Sequence, residues 1–256
     1  MKKILIFVGL STLIVIGSYL VWQPKASAPA YSKPFKNPAS TSPKTTAKQV
    51  FNKHLYSLTD PASIWVVVNK QRPLSPKDYA PTDLVIPDVP LRSNITNTEK
   101  HVRKPTAEAL KTMVDAAKAS GINLNLQSGY RSYNFQSTLY NSYVAQQGQT
   151  AADTQSARAG YSEHQTGLAA DLGGTSNPSC NVADCFATTP EGLWLAANAY
   201  HYGFIIRYPA DKQAVTGYIY EPWHVRYVGT ELSNELHKQS VTTLEEFFNL
   251  PSAPTY

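Results

Sequence analysis

Residues 105–131, PTAEALKTMVDAAKASGINLNLQSGYR, change hydrophobic period partway along. Pro105 opens a helix predicted over 106–119, with Leu110, Met113, Val114 and Ala117 on one face and Gly121 just past its end. Beyond Gly121, the apolar residues Ile122, Leu124 and Leu126 alternate with polar ones. That is the pattern of a half-buried strand, here running into Ser128-Gly129-Tyr130-Arg131. The same start and stop signals predict helices over 133–147 and 190–200, the latter capped by Thr189 and closed by Gly203. Short strands are predicted at 64–68, 168–172, 204–208, 217–220 and 225–228. Helices and strands in no regular βαβ alternation indicate an α+β domain.

The 256 residues are 42% hydrophobic and 16% charged, enough for one sizeable core and incompatible with a wholly disordered chain. The net charge of +5 is unevenly placed: residues 1–50 hold seven lysines and no acid, which leaves 16 basic and 18 acidic residues in 51–256. A domain with a net charge of −2 has no electrostatic grip on a phosphate backbone, so nucleic acid is excluded as a partner. Lys2-Lys3 precedes residues 4–22, a run whose only ionisable side chain is Tyr19. At about 1.5 Å per helical residue this run just spans a hydrocarbon layer of about 30 Å, and the lysines would stay on the cytoplasmic side. Ala26-Ser27-Ala28 resembles a cleavage site, but Pro29 is a poor neighbour for one, and the length favours a retained membrane anchor over 1–22. Residues 23–50, rich in Pro, Ser, Thr, Ala and Lys, read as a linker, and 51–250 as a single extracytoplasmic domain. Cys180 and Cys185 lie in a Gly/Ser/Asn/Pro-rich loop of an exported chain, where a local disulfide is expected.

Three segments carry the chemistry. Besides the Ser128–Arg131 turn, SEHQTGLAAD at 162–171 sets His164 seven residues before Asp171, with Gly167 to turn the chain between them. EPWH at 221–224 adds His224 and Glu221. Two imidazoles and one carboxylate suit zinc and leave a fourth position open, and a spare glutamate beside it is what a hydrolase needs. His54, His101, His201 and His237 belong to no metal-spaced cluster and read as structural. SxxK, HExxH and GxSxG are all absent, which removes the common serine and zincin signatures.

SGYRS at 128–132, SEHQTGLAAD at 162–171, YGF at 202–204 and TGYIYEPWHVRYVG at 216–229 together resemble the zinc D-Ala-D-Ala peptidases of the VanY, VanX and LdcB/DacB type. The likeness is strongest to the VanY/LdcB carboxypeptidases and covers most of 60–240; the loop at 174–189 is its least covered part. It implies a hedgehog/DD-peptidase-like fold, a small and mainly antiparallel sheet flanked by helices. It also implies His164, Asp171 and His224 as zinc ligands, Glu221 as catalytic base, and Arg131, Gln136 and Ser162 as substrate contacts. The implied reaction is removal of the terminal D-Ala from a peptidoglycan stem peptide, across a D,D or an L,D bond; separately, the domain is expected to be a monomer. Arg131 is the candidate cation for charge developing on the scissile carbonyl, its plainer reading being a surface ion pair. The competing functional reading is an inactive, zinc-stabilised wall-binding module, which the intact Glu221 disfavours.

Overall fold

The computed structural model describes residues 50–256, so the predicted anchor and nearly all of the linker lie outside the described residues. A two-stranded ribbon, β1 (Leu84–Val85) with β2 (Val102–Arg103), leads into α1 (Lys104–Ala119), β3 (Leu124–Ser128), α2 (Tyr133–Gln147) and α3 (Gln149–Gln155). Then come β4 (Ala169–Gly174), α4 (Pro190–Asn198), β5 (Phe204–Tyr208), α5 (Gln213–Thr216), β6 (Glu221–Tyr227), α6 (Thr230–Gln239) and α7 (Leu244–Phe247). Four strands form one antiparallel sheet in the order β3-β4-β6-β5.

Alternation along the strands gives this sheet two chemically different faces. Leu126, Leu172, Ala170, Val225 and Ile206 lie on one face, linked by direct cross-strand pairing. They pack with Leu110, Met113 and Val114 of α1 and Leu195 of α4 into the main core. The opposite face carries Asp171 paired with His224, and Arg226 paired with Ile205. A second core of Trp65, Ile205, Val228, Leu232, Leu236 and Phe247 seats α6 and α7 against β5.

The predicted helices at 106–119 and 133–147 form as α1 and α2, with α1 starting two residues early. The third stops at Asn198 and tightens into a 3-10 turn over Ala199–Tyr202 before Gly203. Two predicted strands do not form. Residues 64–68 are mostly buried, but Arg226 Nη2 bonds the carbonyls of Ile64 (3.1 Å) and Val66 (2.7 Å), and Val67 N–H donates to Leu58 O, so none of them joins a ladder. At 217–220, Gly217 turns the chain at φ 85° and Ile219 N–H donates to Thr154 O, leaving Tyr218 to pack as a buried ring. Cys180 and Cys185 are joined as a disulfide.

Candidate metal centre and cleft

Three side chains distant in sequence converge because of two local irregularities. Glu163–Thr166 form a 3-10 turn that ends at Gly167 with φ 67°, a left-handed conformation natural to glycine, and β4 then starts and delivers Asp171. On β6, Glu221 and His224 are three apart and would face opposite sides of a regular strand. Here Tyr208 pairs with Glu221 and Ile206 with Val225, so β6 spends four positions where β5 spends two. This bulge brings Glu221 to the His224 side, and Pro222, which has no N–H to donate, sits within it.

One ligand atom from each of His164, Asp171 and His224 lies within 4.8 Å of the other two. His164 Nε2 is 3.3 Å from Asp171 Oδ2, and His224 Nδ1 is 3.2 Å from Asp171 Oδ1. Ligands held about 2.0–2.1 Å from a tetrahedral zinc ion stand about 3.3 Å apart, so the spacing fits. Of the two outward nitrogens, only that of His164 is hydrogen-bonded. His164 Nδ1 lies 2.6 Å from Gly129 O and donates to it, and His224 Nε2 faces Glu163 Oε2 at 3.6 Å. The Gly129 contact fixes the His164 tautomer with its Nε2 lone pair toward the shared space, whereas His224 Nε2 and Glu163 Oε2 are in charge contact only, neither having a hydrogen-bond partner among the described residues. Asp171 Oδ1 is buried with no hydrogen-bond partner, an orphaned acceptor that a cation would satisfy.

The electrostatics point the same way. Burial opposes a charge on Asp171, but His164 and Arg131 outweigh it and hold the carboxyl well below its usual range. Burial likewise opposes a charge on His224, yet Asp171 and Glu163 push its pKa up to about 9. Glu221, whose Oε2 is 3.5 Å from His224 Nδ1, is pushed up to about 8, mainly by burial and further by the Asp171 charge. A cluster that pulls a proton onto its imidazole is short of positive charge, and a divalent ion supplies it.

The cluster lies in a cleft of about 480 Å3. Arg131 lines it, with Nε donating to Ser128 Oγ (3.0 Å), Nη2 to Asp171 Oδ2 (2.6 Å), and Nη1 without a protein partner among the described residues. Gln136 is buried on the α2 wall; its Nε2 donates to Ala157 O (2.7 Å) and Ser156 Oγ (3.3 Å), and its Oε1 has no partner. Because a backbone carbonyl can only accept, this orients the amide and leaves Oε1 as a buried acceptor without a partner. Ser162 lines the cleft with no side-chain hydrogen bond among the described residues. His54, His201 and His237 are exposed, His101 is half-buried, and none joins the cluster.

Sequence reasoning misses what lies behind His224. Glu163 Oε1 accepts from Arg207 Nε (2.8 Å) and Arg226 Nη1 (2.7 Å), and Arg207 pairs through two nitrogens with Glu245 (2.7 and 2.9 Å), all fully buried. The available signal is an arginine amid apolar residues in both FIIRY and HVRY: a charge on a buried strand must be paired.

The family model for VanY, D-alanyl-D-alanine carboxypeptidase, matches residues 99–230. The putative carboxypeptidase YodJ of Bacillus subtilis (strain 168) is 45% identical over 194 residues, 76% of this chain and 70% of that protein. Among solved structures, the LdcB LD-carboxypeptidase superposes with a TM-score of 0.69 at 45% identity, over 75% of this chain and 88% of that one. A variant of the vancomycin-resistance D,D-pentapeptidase VanY in complex with Zn(II) superposes with a TM-score of 0.59 at 33% identity, over 72% and 98% respectively.

Proposed function

The chain belongs to the VanY family of D-alanyl-D-alanine carboxypeptidases, and from that premise we propose that His164, Asp171 and His224 hold its zinc ion and that Glu221 is its proton-transfer group. The protein is a zinc-dependent carboxypeptidase of peptidoglycan stem peptides. The convergence of the three ligand atoms around the orphaned Asp171 Oδ1, with Glu221 alongside, carries the assignment of roles.

When bound, zinc supplies Lewis acidity that acidifies water and polarises the scissile carbonyl, and its charge draws Glu221 back to the carboxylate. Glu221 then accepts the proton of the attacking water at a carboxylate oxygen and returns it to the departing amine of D-alanine, so one residue serves both transfers. Arg131, tied to Asp171 through Nη2, has Nη1 free to meet negative charge on the substrate. Ser162 offers a hydroxyl to the terminal carboxylate. Gln136, with its amide nitrogen engaged by Ala157 O and Ser156 Oγ, has no donor left for the carboxylate and shapes the α2 wall of the substrate cleft.

Within the family, 45% identity to an LD-carboxypeptidase against 33% to a D,D-pentapeptidase favours the L,D bond of tetrapeptide stems. No helix of the described residues is long and apolar enough to cross a membrane. Outside them, the apolar run at 4–22 behind Lys2-Lys3 supports an anchor that tethers a monomeric domain on the outer side of the membrane. Purified muropeptides with tetrapeptide or pentapeptide stems, incubated with and without a chelator, test the reading. Release of D-alanine from tetrapeptides that the chelator abolishes is the expected result, and release indifferent to the chelator would overturn it.

A further inference from the structure

Val182 is a β-branched residue at φ 58°, in the left-handed region that glycine or asparagine normally fills, and it is 45% exposed. Asn181 (φ −62°, ψ 128°) and Val182 are the central residues of a turn closed by Ala183 N–H donating to Cys180 O, so the turn explains the positive φ but not why an exposed valine stands where glycine or asparagine would fit without strain. Val182 and Ala183 line the catalytic cleft, together with Ile219 and, from α2, Leu139.

The flanking chain is tied down on both sides. The Cys180–Cys185 disulfide closes the loop around Val182. Asn181 docks on the end of β4: its Oδ1 accepts from Gly174 N–H (2.8 Å) and its Nδ2 donates to Gly174 O (3.2 Å). It fills the notch left by Gly173, where a Cβ would come within 2.6 Å of Asn181 Cγ. Ala183 N–H donates back to Cys180 O, and Phe186 is fully buried in the main core. The loop is therefore fixed to the same strand that carries Asp171, and its one exposed aliphatic group is Val182.

We propose that Val182 is a specificity-determining residue, held on the lip of the cleft by the disulfide-closed loop to make apolar contact with an alanine methyl of the peptide substrate. Alanine offers no other side-chain handle, so only a fitted apolar contact tells it from glycine or from a larger residue. This rests on the carboxypeptidase reading above.

The test uses Val182→Gly, Val182→Asn and Val182→Ile in the full chain. Gly and Asn accept the positive φ and remove the isopropyl group; Ile retains an apolar branch. KM for the stem peptide is expected to rise about three- to tenfold in the Gly and Asn variants, with kcat and zinc content unchanged, and to stay near the wild-type value for Ile. The melting temperature of Val182→Asn is expected to hold or rise, because the strain is relieved. An active Val182→Asn enzyme with wild-type KM overturns the role of Val182 alone, and a fall in its melting temperature overturns the strain argument. A wild-type protein without chelator-sensitive D-alanine release overturns the carboxypeptidase reading, and this inference with it.

Discussion

Replacing Glu163 with glutamine tests whether the buried charges behind His224 support the metal centre. Glu163 and Glu245 face Arg207 and Arg226, two negative against two positive charges at zero exposure. Glu163→Gln leaves one positive charge in excess and sets a neutral amide against Arg207 and Arg226, which the carbonyls of Ile64, Val66 and Tyr227 around Arg226 do not neutralise. Breaking a buried pair in this way costs about 3–5 kcal/mol. For a domain of this size that lowers the melting temperature by roughly 6–20 °C. Glu163 Oε2 is also the charge facing His224 Nε2 at 3.6 Å, and loss of such a partner behind a ligating imidazole typically weakens metal binding about 10- to 100-fold. Unfolding of the metal-free protein measures the first effect, and competition for zinc against a chromophoric chelator measures the second. Glu245→Gln is the internal control: it disturbs Arg207 and Asn69 but touches neither imidazole, so it should lose stability without losing zinc affinity. Equal zinc affinities for Glu163→Gln and Glu245→Gln would refute the argument that Glu163 positions His224.

Three further outcomes follow from the same geometry. Glu221→Gln should bind zinc normally yet lose at least about 100-fold in kcat, as expected when a proton-transfer group is removed, and near-wild-type turnover would reject its role. Arg131→Ala removes both a cation from the cleft and the donor to Asp171 Oδ2, so kcat/KM should fall by about 100-fold or more; a drop confined to zinc occupancy would reduce Arg131 to a support of Asp171. Acid should unfold the domain. Burial would raise the carboxyls of Glu163 and Glu245, but Arg226 and Arg207 outweigh it and hold both below their usual range. The unfolded chain thus takes up protons first, and the stability these pairs give is complete above about pH 4.5 and lost as pH falls below it. Melting curves from pH 7 to pH 3 check this, and a flat profile would contradict it.

The helices at 104–119 and 133–147 are legible because propensity, periodicity and end signals agree there. The cluster of His164, Asp171 and His224 is legible from residue chemistry and the resemblance together, since spacing alone gives no sign that 171 and 224 are cross-strand partners. The strand expected at 64–68 fails because β-branched residues signal burial as readily as pairing, and its carbonyls are claimed by Arg226 from a strand far along the chain. Glu163 is overlooked beside the more conspicuous His164, because its partners Arg207 and Arg226 are 44 and 63 residues away. Val182 carries no sequence signal at all: a valine gives no warning of a positive φ.

Asp171 and His224 sit side by side on neighbouring strands, whereas much of the rim of the cleft, from 155–157 to 182–184, comes from turns and helix ends outside the sheet. Insertions or substitutions in those turns can remodel which peptide is admitted without disturbing the hydrogen-bonded ladder that fixes the reacting groups. A scaffold divided in this way lets selection retune its diet while the hydrolytic engine is inherited intact.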